Sequence, residues 1–314
     1  MTRLWRNGPA LLALTMLFWA GSVIVGRAAA GLVPPVLFTL LRWTGALCIV
    51  APLAWPRLRA DLPALWARRW TVALLAVLGV CAYNILVYRG LHATTAVNAL
   101  LLQSVMPLAI LVANLALFGE RPRPMQVAAI AVSVLGVLVI AGQGSLETLR
   151  RLTVNPGDAL VLLAIAAFAT YSSVLRRRPA VHPFSFLAAT FTIGVTVLAP
   201  LALIERAGGA RMAQTLPAWL AVGYAVVFAS FLATLFYNRG VELMGAARAG
   251  QFNHLQPVFG ALMAVGLLGE SLHPYHAAGI ALIGAGLLLA GLQRRARAHA
   301  AAGAKTAGAK QDAA

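Results

Sequence analysis

Charge and cysteine are scarce in this chain, and each scarcity excludes a class of protein. Charged residues make up 11% of the 314 residues, against about 25% in a typical soluble domain. A chain with so little charge cannot cover a folded surface with polar groups in water, which excludes an ordinary soluble domain. The two cysteines, Cys48 and Cys81, lie in apolar runs, so we expect neither a disulfide nor a metal site from them.

Acidic residues are the scarcest charges, with 8 Asp and Glu against 25 Lys and Arg. We place all of them in loops, at span ends or in the tail: Asp61, Glu120, Glu147, Asp158, Glu205, Glu242, Glu270 and Asp312. Many proton-driven pumps use a carboxylate at mid-membrane depth, so this pattern disfavours cation efflux through a central acid.

Other functional signatures are missing as well. The basic excess would suggest nucleic acid in a soluble chain, but no basic face carries interleaved aromatic residues, so we predict no nucleic-acid partner. The sequence contains no Walker loop, His-Glu-x-x-His or Cys-x-x-Cys motif. We therefore predict that the protein is not an enzyme and needs no cofactor and no metal.

Long apolar runs are abundant, since 61% of the residues are hydrophobic. About 20 apolar residues suffice to cross a bilayer as a helix. Proline and glycine breakers divide the chain into ten spans: 9–27, 35–55, 70–91, 95–118, 123–142, 157–175, 183–204, 217–240, 246–268 and 274–292. The sequence thus predicts an all-α integral membrane protein with ten transmembrane helices. The first span imitates a secretory signal, but we prefer an uncleaved helix because the run is long for a signal core.

The distribution of Lys and Arg predicts the orientation, because cytoplasmic loops are enriched in these residues. With the amino terminus inside, 18 of the 25 basic residues fall on the cytoplasmic side, 6 fall outside, and Arg42 lies within a span. We therefore expect both termini in the cytoplasm and the protein in the inner membrane of a bacterium. Residues 293–314 are basic and rich in Ala and Gly, and we expect a disordered tail there.

Two halves of the sequence match at a constant offset of 150 residues. The matched pairs are Arg89-Gly90 with Arg239-Gly240, Pro107 with Pro257, Gly119-Glu120 with Gly269-Glu270, Pro124 with Pro274, and Gly136 with Gly286. Each half holds five spans, an odd number, so the second half enters the membrane from the opposite side. We predict an inverted repeat comprising 1–142, an outer connecting loop at 143–156, and 157–292. This architecture allows one central site to open alternately to each side.

These residues resemble the EamA-type transporters of the drug/metabolite transporter superfamily. The resemblance rests on Leu41-Arg42-Trp43 in the second span and on Gly119-Glu120-Arg121-Pro122 before a glycine-rich helix, with the phrase recurring at Gly269-Glu270. It implies ten helices, a central cavity and the export of small metabolites such as amino acids. The alternative is a polytopic membrane protein without transport activity, such as an assembly factor or a sensor. A small-molecule substrate and the bilayer are the expected partners, and a homodimer is left open.

The repeat also predicts where a substrate binds, because corresponding broken helices point to the site of a transporter. Pro107 and Pro257 are expected to kink the fourth and ninth spans in mid-helix. Polar or aromatic residues in the spans are the candidate cavity lining: Trp19, Tyr83, Asn84, Asn98, Gln103, Tyr171, Phe231, Asn253, His254 and Gln256. Arg42 has three interpretations: it snorkels outward, pairs structurally, or contacts a substrate carboxylate. Interhelical hydrogen bonding remains the alternative for each amide.

Overall fold

The computed structural model describes residues 2–94, 99, 102–150, 155–268 and 273–289. These residues form helices and loops, and no β-strand is found within these ranges. Two helices of one to two turns, Thr2–Trp5 and Leu146–Arg150, lie outside the main helical array. Asn98, one of the predicted cavity residues, falls outside the described ranges.

The main helices are numbered here in chain order. They are α1 (Gly8–Ala29), α2 (Pro35–Ala67), α3 (Arg69–Ala93), α4 (Met106–Phe118), α5 (Pro124–Ala141), α6 (Pro156–Arg177), α7 (Pro183–Ala207), α8 (Leu216–Met244), α9 (Ala246–Gln251 continued by Leu255–Leu268) and α10 (Pro274–Leu289). Six of them, α1, α2, α3, α6, α7 and α8, are long and apolar enough to cross a membrane. The chain is thus a multi-pass membrane protein, while the count of ten spans stays a prediction.

Local sequence explains where the helices begin. Proline occupies the first turn of α2, α5, α6 and α7, a position where its missing N–H costs nothing because the first turn has no intrahelical acceptor. At α6, Asn155 and Asp158 form a reciprocal capping box, which satisfies two of the backbone donors left free at a helix start.

Three expectations about span boundaries are wrong. Helix α2 does not end near residue 55 but continues through Pro56 and Pro63 to Ala67. Its last turns are mostly exposed, so solvent can satisfy the carbonyls that these prolines leave unbonded. Pro107 and Pro257 are not in mid-helix either. They lie in the first turn of Met106–Phe118 and of Leu255–Leu268, after a turn and a 3₁₀ segment respectively.

Helices α3 and α8 each contain a π-helical segment, Val77–Ala82 and Ala225–Leu232. The 150-residue offset carries 77–82 onto 227–232, within the second segment. A π-helical turn shifts the bonding from i+4 to i+5 and leaves carbonyls available for side chains, and such turns are frequent at functional sites.

Helix pairs that pack together correspond to packed pairs when the residue numbers of both helices are shifted by 150. Helix α3 packs on α6 and α8 packs on α1, while α4 packs on α6 and α9 on α1. Helix α2 packs on α7, its own counterpart. The main hydrophobic core lies among α1, α3, α6 and α8, and a second core runs along α2 and α7.

Helices α5 and α10 cross through glycine. A Cβ at Gly136 would lie 2.6 Å from the Gly279 carbonyl oxygen, and one at Gly286 would lie 2.7 Å from the Ala129 carbonyl oxygen. The two contacts are related by the 150-residue offset in both partners. Small residues let helix backbones approach this closely in a membrane, so the crossing depends on glycine at both positions.

Candidate functional site

A central cavity of about 50 Å³ lies among α1, α2, α3, α6, α7, α8 and α9. Of the predicted residues, it is lined by Trp19, Arg42, Tyr83, Asn84, Gln103, Tyr171 and Gln256. About 10–15 Å³ of such volume accommodates one water molecule, so the cavity has room for a few waters. At this volume the cavity is too small for a metabolite, which would have to widen it.

Arg42 is the charged residue of this cavity. It is 3% exposed, so the expectation that it snorkels outward is wrong. Its Nε donates to Ser230 Oγ at 2.6 Å, and its Nη1 donates to Asn84 Oδ1 at 3.1 Å and to the Tyr88 hydroxyl. The guanidinium carbon also lies 5.3 Å from the centroid of the Trp43 ring. These neutral partners orient the cation but do not neutralise it.

The π-helical segments provide part of this scaffold. Asn84 Nδ2 donates to the carbonyl of Gly79 at 2.9 Å, and Trp19 Nε1 donates to the carbonyl of Ala229 at 3.1 Å. Gly79 and Ala229 are related by the 150-residue offset. Both π segments therefore fix a cavity side chain through a backbone carbonyl, and the segment in α8 also supplies Ser230 to Arg42.

An aromatic cluster forms one wall of the cavity, with Phe168 at its centre. The ring centroids of Trp19, Tyr83, Tyr171 and Tyr237 lie between 4.9 and 5.5 Å from that of Phe168. Aromatic pairs at such distances stabilise each other in tilted or edge-on arrangements. The wall offers a rigid apolar surface with hydroxyl groups at its edges.

The amide residues of the broken helices divide into two groups. Gln103 and Gln256 line the cavity, and each keeps one buried polar atom without a described partner, Gln103 Nε2 and Gln256 Oε1. Asn253 does not line it. Its Nδ2 donates to the Gly250 carbonyl at 2.8 Å and its Oδ1 accepts from Gln256 at 3.0 Å, so it closes the break in α9.

Two further predicted residues lie away from the cavity. Phe231 packs in the second core, with its ring centroid 6.5 Å from that of Phe184. His254 is fully buried in the 3₁₀ segment of α9, and neither ring nitrogen bonds to a described residue.

Sequence reasoning missed several lining residues. Tyr88 and Tyr237 are not among the predicted lining residues, yet both line the cavity. Ser22, Trp43 and Phe168 also line it. A signal was available for Ser22, because the repeat aligns it with Ser172, and a small polar residue kept at both positions of a duplication indicates a shared role.

Two hydrogen-bonded layers bound the cavity. On one side, the Ser22 and Tyr88 hydroxyls lie 3.1 Å apart. On the other side, the Ser172 and Tyr237 hydroxyls lie 2.6 Å apart, and the Tyr171 hydroxyl donates to Asn238 Oδ1 at 2.7 Å. Tyr171 lines the central cavity while Asn238 lines a larger opening beyond it, so this second layer is a thin partition.

That larger opening is a vestibule of about 950 Å³. Its lining comes from the exposed extension of α2 (Arg57 and Asp61), from the residues around the start of α5 (Glu120 and Gln126), and from the α6–α7 and α8–α9 connections with the helix ends beside them. Ion pairs join Arg176 to Glu120 at 2.6 Å and Arg178 to Glu242 at 2.7 Å. Exposed pairs of this kind stabilise by about 0–1 kcal/mol, so they can open without a large cost.

His182, at the vestibule, begins α7. Burial lowers its pKa below the ordinary value of 6.5, and the nearby Arg57 lowers the pKa further, while Asp61 opposes the shift. Its backbone N–H donates to Asp61 Oδ2 at 3.1 Å, and its Nδ1 accepts from the Phe184 N–H. The acceptor role requires neutral imidazole, which agrees with the direction of the shift.

At the opposite end of the molecule, carboxylates join neighbouring helices. The Glu205 carboxylate accepts from the N–H groups of Val36 and Leu37 at 3.1 and 2.9 Å, which ties α7 to the start of α2. Asp158 accepts from Thr94 Oγ1 at 2.6 Å and so joins α6 to α3. Carboxylates at a helix start stabilise it through its free N–H groups, so these contacts tie the helices together at this end.

The described residues contain no group of three or more His, Cys, Asp or Glu side chains arranged to hold a metal ion. The cavity instead offers one cation, three amides and an aromatic wall. These groups can bind a small polar organic molecule, and they supply no nucleophile paired with a base.

Comparison with known proteins adds the family. Residues 6–142 and 155–292 match the EamA-like transporter family. The uncharacterized transporter YdeK of Bacillus subtilis is 27% identical over 85% of this chain and 89% of its own length. The uncharacterized transporter YyaM of the same organism is 27% identical over 69% of this chain and 71% of its own.

More distant similarities point the same way. The uncharacterized inner membrane transporter YedA of Escherichia coli is 25% identical over 50% of this chain and 49% of its own length. A solved crystal structure superposes with a TM-score of 0.70 over 91% of this chain and 97% of its own, at 21% identity, which shows a shared fold. With family matches covering most of its length, the chain belongs to the EamA-like transporter family and is a multi-pass membrane transporter.

Proposed function

We propose that this protein exports small metabolites, amino acids among them, by exposing its central cavity alternately to the two sides of the membrane. The observation that carries the proposal is the small central cavity between two hydrogen-bonded layers, with a vestibule beyond one of them. A scaffold protein has no need for a polar chamber in its centre, where buried polar groups are costly.

The correspondences between the two halves support an inverted repeat. The π segments, the carbonyls of Gly79 and Ala229, and the glycine contacts of α5 with α10 all follow the same offset. The two layers follow it in part, since Ser22 aligns with Ser172. Symmetric halves give two conformations of similar free energy, which is what alternate opening requires.

The vestibule end corresponds to the cytoplasmic side in the charge-based orientation. The helix ends and connections that line the vestibule all fall on the side that the excess of Lys and Arg predicts to be cytoplasmic. In that orientation the vestibule opens toward the cytoplasm and ends at the Tyr171–Asn238 layer. An exporter loads its substrate in such a state.

Transport by the purified protein in liposomes tests the proposal. The screen uses labelled amino acids, nucleosides and cationic dyes loaded inside the vesicles, with protein-free liposomes as the background. We expect saturable release of at least one class of small polar metabolite. A matched variant, Ala229→Phe, fills the cavity, while Leu203→Phe on the exposed face of α7 leaves it open.

The two variants distinguish passage through the cavity from leakage. We expect release to be lost in Ala229→Phe and kept in Leu203→Phe, with both proteins inserted to the same level. Absence of release for every class tested, or equal release by both variants, contradicts the proposed function.

A further inference from the structure

Arg42 is a buried cation with no described anion beside it. Five of the described carboxylates bond to groups other than Arg42: Asp61, Glu120, Asp158, Glu205 and Glu242. No described carboxylate forms an ion pair with Arg42. A buried charge is normally compensated by an opposite charge, and here only neutral groups surround it.

The hydrogen bonds of Arg42 leave one side of the guanidinium available. Nε and Nη1 are occupied by Ser230, Asn84 and Tyr88, whereas Nη2 donates to no described residue. Next to it in sequence, the indole Nε1 of Trp43 is buried and also has no described partner. Both residues line the central cavity, so the side of the cavity that carries the Arg42 charge has two N–H donors without described partners, Arg42 Nη2 and Trp43 Nε1.

The remaining lining has a different character. The aromatic wall around Phe168 is apolar, and Gln256 Oε1 is a buried acceptor without a described partner. A single cation beside an apolar wall in a small chamber suits one planar anionic group on an organic body. A carboxylate can accept charge-assisted hydrogen bonds from the Nη2 N–H groups that remain free on this guanidinium.

We infer that the substrate carries a carboxylate that binds Arg42, with its organic body against the aromatic wall. This inference rests on the proposed transport function and specifies the chemical group that the cavity recognises. A zwitterionic amino acid satisfies it as well as a simple monocarboxylate, because an ammonium group can lie over aromatic rings. An amine without a carboxylate does not satisfy it, because Arg42 repels a cation.

Three matched probes test the inference: 3-phenylpropionate, phenylalanine and phenethylamine. They share the phenyl body and carry a carboxylate, both charges, or the amine alone. Binding to the purified wild-type protein is followed by the thermal unfolding midpoint and by quenching of tryptophan fluorescence. We expect both carboxylates to bind at least tenfold more tightly than phenethylamine.

Variants connect this selectivity to the residue. In Arg42→Gln we expect carboxylate binding to weaken at least tenfold, and in Arg42→Lys to weaken less, because the positive charge remains although the fixed position of the guanidinium donors is lost. Arg57→Gln is the matched control, since Arg57 lines the vestibule and not the cavity. Its carboxylate binding should equal that of the wild type.

Several results would overturn the inference. They are phenethylamine binding as tightly as the carboxylates, no response to either carboxylate, undiminished binding in Arg42→Gln, or an equal response to chloride. If Arg42→Gln does not fold, the wild-type comparison of carboxylate with amine decides alone. Release of amines or neutral compounds from liposomes, unaffected by carboxylates, would refute the inference while leaving the transport function intact.

Discussion

Replacing Gln103 by Leu tests whether the cavity amides serve binding or folding. Gln103 is 1% exposed and lines the cavity. Its Oε1 accepts one long hydrogen bond, 3.4 Å from the Tyr83 hydroxyl, and its Nε2 has no described partner. The side chain thus contributes little to the closed structure, although it is a polar group in a costly position.

The magnitudes follow from these contacts. Hydrogen bonds between membrane helices are worth about 0.6 kcal/mol on average, and a long one is worth less. Removing an unsatisfied buried donor offsets that loss. We therefore expect Gln103→Leu to change the free energy of unfolding by less than about 1 kcal/mol. If Nε2 bonds to substrate, the loss of about 1–2 kcal/mol weakens affinity roughly five- to thirtyfold.

The assay combines thermal unfolding in detergent with substrate affinity in liposomes. Asn253→Leu provides the contrast, because Asn253 makes two short hydrogen bonds, at 2.8 and 3.0 Å, that close the break in α9. We expect Asn253→Leu to lower the unfolding midpoint, whereas Gln103→Leu leaves it nearly unchanged and lowers affinity.

One result would refute this reasoning for Gln103. Unchanged affinity in a folded Gln103→Leu protein would show that Nε2 does not contact substrate. A large loss of stability would show instead that the amide holds the helices together, as interhelical bonding predicts.

Three other predictions concern topology, packing and pH. Reporter fusions after positions 30, 150 and 210 should report the outside, and fusions after 62, 122, 180 and 243 should report the cytoplasm. A cytoplasmic signal from the fusion at 150 would contradict the inverted repeat. Gly136→Leu should destabilise the protein by about 1–3 kcal/mol or more through overpacking, whereas Gly223→Ala, with open space around it, should be tolerated in the same unfolding assay. Because the pKa of His182 is lowered in the folded protein by burial and by Arg57, more than Asp61 raises it, the unfolded state binds more protons between that pKa and 6.5. The free energy of unfolding should therefore fall as the pH is lowered through this range. In His182→Gln, unfolding measured over the same range should lack this pH dependence.

Composition and breakers predicted much of the fold, because a helix in lipid must satisfy its own backbone and leaves a continuous apolar run in the sequence. The limits of α2 could not be predicted in the same way. Pro56 and Pro63 are strong breakers in general, but they lie on an exposed extension where water replaces the lost bonds.

The site was predicted less completely, for physical reasons. The depth of Arg42 in its span is compatible with snorkelling and with burial alike, and the outcome depends on Ser230, which only the π turn of α8 brings to it. No residue pattern in 77–82 or 225–232 signals a π turn. The prolines indicated the correct regions of α4 and α9, but whether a proline kinks a helix or begins one depends on the preceding turn.

The uncompensated guanidinium of Arg42 has an electrical consequence. When the cavity is connected to the cytoplasm, a fixed positive charge there lies near the cytoplasmic potential, and when it opens outward the same charge lies near the outer potential. One elementary charge moved through 100 mV corresponds to about 2.3 kcal/mol. A negative cytoplasm would therefore favour the inward-open state of the empty protein, and the charge-based orientation predicts that the vestibule lies on that side. A bound monoanion cancels the charge and removes this bias, so voltage would act on the return of the empty carrier and spare the loaded one.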